Sequence, residues 1–198
     1  MMRWGRFAAA YIGMGVIAGV IAVIWRTGSP FTYPDPWLHL TPLGAHTYSL
    51  ALGITLGMLI VIVTRACVGR FEWARRLHRE LRPFARGIST TGIVVLAGLS
   101  ALGEELLFRG LLEPWLGLVP QALLFGLLHQ VRGASRWVWM SWATAVGLVF
   151  GAMFELTGSL SGPIAAHAVV NALNLSYLKS HDPEPRRRLL GGLLGQRG

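Results

Sequence analysis

The sequence predicts an all-α, polytopic integral membrane protein, with about six transmembrane helices forming one bundle. Three observations carry that expectation. Of 198 residues, 53% are hydrophobic and only 14% are charged, whereas a soluble domain carries about 25% charged residues. The apolar residues fall in runs near the roughly 20 needed to cross a hydrocarbon core. The formal charge of +9 rests on arginines placed between those runs, a distribution that marks membrane topology rather than a nucleic-acid surface.

The runs lie at residues 7–25, 48–63, 91–112, 119–131, 137–156 and 163–178. The first is longer than a signal-peptide core and lacks a clear small-residue cleavage site, so it is expected to remain as an anchor. The fourth is the shortest and covers only about 20 Å at about 1.5 Å per residue. Trp4, Trp25, Trp115 and Trp137 fall near segment ends, where interfacial aromatic belts form. Cys67 is the sole cysteine, which excludes a disulfide framework and a cysteine-based zinc site.

Orientation follows from the basic residues. Arg65, Arg70, Arg75, Arg76, Arg79, Arg82 and Arg86 stand against only Glu72 and Glu80 between the second and third runs, which predicts a cytoplasmic segment. Residues 65–86, with Phe71, Trp73 and Leu77 interleaved, suit either an amphipathic helix on anionic lipid or a solvated loop. Alternation from there puts both termini in the cytoplasm, including the Arg186–Arg188 tail, for a multi-pass protein of the plasma (inner) membrane. The organisation is then residues 1–90, two helices and the basic loop; 91–179, a helical core; and 180–198, a basic tail.

Ionisable groups inside a bilayer cost several kcal/mol and mark function or pairing. The third run holds Glu104 and Glu105, with Arg109 four residues beyond Glu105 and on the same helical face, a spacing that allows a charge-assisted pair. Glu104 then faces elsewhere. His129 lies in the fourth run, and His167 and Asn171 are again i and i+4 in the sixth. Counted from the uncharged loops, Glu104, His129 and His167 all sit roughly 8–15 Å beneath one face, so a site shared by the three and opening outward is expected. Glu155 near the same face reads as interfacial and structural.

Glu-Glu-x-x-x-Arg at 104–109, Phe-x-x-x-His at 125–129 and His-x-x-x-Asn at 167–171, in that order on successive apolar segments, resemble the CAAX protease and bacteriocin-processing (CPBP) family of intramembrane endopeptidases. The resemblance runs from about Ile93 to Leu178. It implies that Glu104 is the general base activating a water, with His129 holding that water. His167 and Asn171 would stabilise the oxyanion, supported by Glu105, Arg109 and Phe125. It also implies a metal-independent reaction without a cofactor, although Glu104, His129 and His167 also make a possible zinc set. The implied partners are the bilayer and a membrane-anchored or lipidated protein or peptide substrate, with no nucleic acid. An outward-opening site favours processing of anchors or secreted peptides outside the cytoplasm. The rival class is a transporter or proton relay using the same Glu and His residues.

Overall fold

The computed structural model describes residues 4–26 and 28–183, so Arg3 and the Arg186–Arg188 tail lie outside the described residues. Within these the chain forms seven helices, when the continuous segment Thr90–Leu116 is taken as one, and a single isolated bridge between Thr32 and Ser159. They are α1 (Gly5–Arg26), α2 (Pro42–Arg70), α3 (Glu72–Arg86), α4 (Thr90–Leu116), α5 (Leu118–Leu128), α6 (Arg136–Thr157) and α7 (Ser161–Ser180).

Four of these, α1, α2, α4 and α6, are long and apolar enough to cross a membrane, fewer than the six expected spans. The other two runs are helical but differ in kind. With its 11 residues, α5 reaches only about 17 Å. The 20 residues of α7 would be long enough, but His167, Asn171, Asn174 and Lys179 lower its hydropathy because it is an inner helix that carries chemistry. Large apolar side chains are widely exposed on α1 and α2, and further ones lie on α5 at Val119, Leu123, Leu127 and Leu128.

Helix starts follow local chemistry. Thr41 accepts a hydrogen bond from the Gly44 N–H ahead of Pro42, and Ser89 accepts one from the Gly92 N–H; each satisfies an amide that a helix start leaves unpaired. The 29 residues of α2 extend about 43 Å, beyond a hydrocarbon core of about 30 Å. Arg65 and Arg70, which begin the stretch that suited either an amphipathic helix or a solvated loop, therefore ride on its projecting end. The chain breaks at Phe71 and turns into α3, so residues 72–86 form an amphipathic helix. Ala74, His78 and Ala85 of α3 are buried against the bundle, while Arg75 and Arg79 pair with Glu72 at 2.8 and 2.9 Å. Its Glu80 accepts from the Ser135 N–H at 3.2 Å, tying α3 to the loop before α6.

At the opposite end, Ser49 of α2 fastens the α6–α7 turn. Its hydroxyl donates to the Ser159 carbonyl at 2.8 Å and accepts from the Gly162 N–H at 3.1 Å. Such contact needs bare backbone: a Cβ on Gly53 would strike the Gly162 carbonyl, and one on Gly162 would strike Ser49. Gly162→Val should therefore destabilise the bundle by about 1–3 kcal/mol, read as a lower thermal midpoint in detergent. Gly69→Ala, where a Cβ meets nothing within 4 Å, should not lower it.

Candidate active site

Two neighbouring carboxylates on α4 are separated by the helical turn into different tasks. Glu105, fully buried, takes the Arg109 guanidinium at 3.0 Å. The same Glu105 oxygen accepts from His167 Nδ1 of α7 at 2.7 Å, and Arg109 also donates to the Gly147 carbonyl of α6 at 2.9 Å. One ion pair thus joins three helices. Arg109 lies in a stretch, Leu106–Leu112, wound as a π-helix, a form that recurs at functional sites. Just beyond, Pro114 has no N–H for the Gly110 carbonyl four residues back. Arg26 of α1 supplies that donor at 2.6 Å.

Glu104 points the other way, into the space between α4, α5 and α7. Its Oε2 lies 3.7 Å from His129 Nε2 and 3.7 Å from His167 Nε2, and that buried oxygen has no hydrogen-bond partner in the protein. The separations exceed direct hydrogen bonding and suit a bridging water about 2.8 Å from each group. His129 follows the last residue of α5 rather than lying within a longer helix, with φ −84 and ψ 68. Its Nδ1 is held by the Phe125 carbonyl at 2.7 Å, so that nitrogen carries the proton and Nε2 turns to Glu104. Phe125 also places its ring 4.3 Å from the His129 ring and 4.6 Å beneath the Arg109 guanidinium. Asn171, one turn along α7 from His167, donates to Ser100 Oγ of α4 at 3.0 Å.

All four motif side chains, Glu104, His129, His167 and Asn171, line one cavity of about 290 Å³. The cavity leads away from the cluster along α7 to Tyr177 and along α1 to Phe7, and is covered by Trp73, Leu77 and His78 of α3. It therefore runs to the arginine-rich end, and the expectation of an outward-opening site is corrected. Counting residues from the nearer loops gave depth, but access depends on where the space between helices widens. In the outward direction Arg109, Phe150 and Phe108 are packed closed. At the mouth, His78 Nε2 lies 3.1 Å from the His181 carbonyl, and burial holds its imidazole below the usual range.

Sequence reasoning missed Tyr11, which lines the cavity with Glu104 from α1. An isolated tyrosine inside an apolar run was its one signal. Ser100 was also missed, being a common small residue in membrane helices. Glu155 accepts from the Tyr33 hydroxyl at 3.3 Å, away from the cavity.

Residues 87–173 match the family model described as type II CAAX prenyl endopeptidase Rce1-like. This segment is Rce1-like. It covers all three motifs and leaves α1, α2 and α3 outside. The Bacillus subtilis (strain 168) protein YpbD, itself uncharacterized, is 40% identical over 81 residues, 41% of this chain and 42% of that protein. The chain thus spans less than half the length of this curated relative. No solved structure gives a significant match. The matched segment is thus similar to the CAAX-protease type and is set in a membrane protein.

Replacing Arg109 with Ala would leave the buried Glu105 carboxylate without its guanidinium, held by His167 alone. The cost should be about 3–5 kcal/mol, seen as a lowered thermal midpoint in detergent and larger than that of Arg76→Ala at the exposed Arg76–Glu80 pair.

Proposed function

We propose that the protein is an intramembrane endopeptidase that hydrolyses a peptide bond of a membrane-anchored or lipidated protein using water activated by Glu104. The observation that carries this reading is the Glu104 oxygen set 3.7 Å from two imidazole nitrogens at the head of a largely apolar cavity. A water held by Glu104 and His129 Nε2 attacks the carbonyl carbon, and Glu104 accepts its proton as the new C–O bond forms. Glu104 then delivers that proton to the leaving nitrogen as the C–N bond breaks.

The developing oxyanion needs donors. Asn171 has an amide N–H beyond the one given to Ser100. With Glu105 accepting at Nδ1, a neutral His167 presents a lone pair at Nε2, so donation from Nε2 requires the doubly protonated ring. The apolar cavity suits a lipid-modified or hydrophobic chain. Its opening beneath α3 favours approach from the arginine-rich side, cytoplasmic by the charge rule.

Glu104→Gln should lower cleavage of a prenylated CAAX peptide carrying a fluorophore and quencher by about 10²-fold or more while the protein stays folded. Cleavage at the wild-type rate would sink the reading.

One observation favours a second reading. Both imidazoles engage an acceptor through Nδ1 and turn Nε2 to Glu104, as zinc ligands do. The three groups would have to close in, since among the described residues no set of His, Cys, Asp or Glu side chains has metal-holding geometry. Exhaustive treatment with a zinc chelator should leave the cleavage rate unchanged; loss of activity restored by added zinc would favour the metal.

A further inference from the structure

We propose that α1, which lies outside the Rce1-like segment, completes the site by supplying Tyr11 as the residue that positions Glu104. This rests on the endopeptidase reading above and extends its machinery beyond the three motifs.

Backbone packing places Tyr11. A Cβ built on Gly15 would lie 3.1 Å from Gly103 Cα, and one built on Gly103 would lie 2.6 Å from the Tyr11 carbonyl. Helices α1 and α4 therefore cross in near backbone contact one residue before Glu104. Above the crossing, the Tyr11 ring packs on the buried cluster of Ala8, Ile88, Ile93 and Leu96. That leaves the ring few ways to turn. Tyr11 and Glu104 line the same cavity, one on each of the two helices that meet at this crossing.

The surrounding chemistry makes a donor valuable here. Neutral His129 offers Glu104 a lone pair, and Asn171 is turned to Ser100. His167 Nε2, at 3.7 Å, stands beyond hydrogen-bond reach of Glu104, and a carboxylate with no donor within that reach can rotate, spoiling the placement of Oε2 between the imidazoles. A phenol O–H bonded to the other oxygen fixes the rotation and leaves Oε2, the atom without a partner, to take the proton of water. Tyr11 neither gains nor loses a proton over the cycle. Hydrogen bonds of this kind are commonly long in a substrate-free site and tighten when substrate binds.

Tyr11→Phe keeps the ring and removes only the donor, so folding and substrate binding should survive. In full-length protein reconstituted in lipid vesicles, with the quenched prenylated peptide, kcat should fall by about 10- to 100-fold. KM should stay within about twofold. Infrared difference spectra supply a readout independent of cleavage: the Glu104 carboxylate band, identified by its loss in Glu104→Gln, should shift in Tyr11→Phe. A residue that merely packs would leave both readouts at wild-type values, and either an unchanged kcat or an unshifted band overturns the proposal. If wild-type protein does not cleave the peptide, the endopeptidase reading is in question while the infrared arm still decides whether Tyr11 holds Glu104.

Discussion

The arrangement of the inner helices depends on one buried ion pair. Glu105 and Arg109 are both fully shielded from solvent, and in hydrocarbon neither charge would be tolerated alone. Because each also reaches a neighbouring helix, the requirement to satisfy them becomes a requirement on three helices at once. The 2.7 Å contact to His167 sets the α7 imidazole, and the 2.9 Å contact to the Gly147 carbonyl fixes α6 against α4. The π-wound stretch carrying Arg109, and the guanidinium of Arg26 that serves the Gly110 carbonyl, belong to the same constraint. Glu104 inherits its orientation from this arrangement, since neighbouring helical residues point about 100° apart.

Much of this was legible in the sequence because a bilayer makes polar residues conspicuous. Glu104, Glu105, Arg109, His129, His167 and Asn171 stand out from apolar surroundings, and helical spacing alone paired Glu105 with Arg109. Span count was less legible. A helix such as α7, packed among neighbours, need not be apolar all round, and the 11 residues of α5 are too few to cross a hydrocarbon core. The side from which the site opens was illegible for another reason. Depth is a property of one helix, whereas a cavity arises from the divergence of several, and no single segment encodes it. Tyr11 was hidden because its role depends on a crossing between two distant glycines.

Helix α3 combines features that the sequence left as alternatives. Its inner face closes the cavity mouth, and its arginines are largely neutralised locally by Glu72, Glu80 and Asp182. Charge that reads as a topology signal in the chain thus also holds a cover in place. Surface pairs of this kind contribute little individually, about 0–1 kcal/mol, so burial of Ala74, His78 and Ala85 must supply most of the attachment.

The placement of that cover turns the cavity into a measuring device. From Tyr177 at the mouth to His167 beside Glu104 there are ten residues of α7, about 15 Å along the axis. An extended chain advances about 3.3 Å per residue, so only four or five residues fit between the rim beneath α3 and the reacting carbonyl. On the endopeptidase reading proposed above, the bond cut would be set by the distance from the cavity mouth to the Glu104 carboxylate, and much less by the identity of the side chains on either side of it.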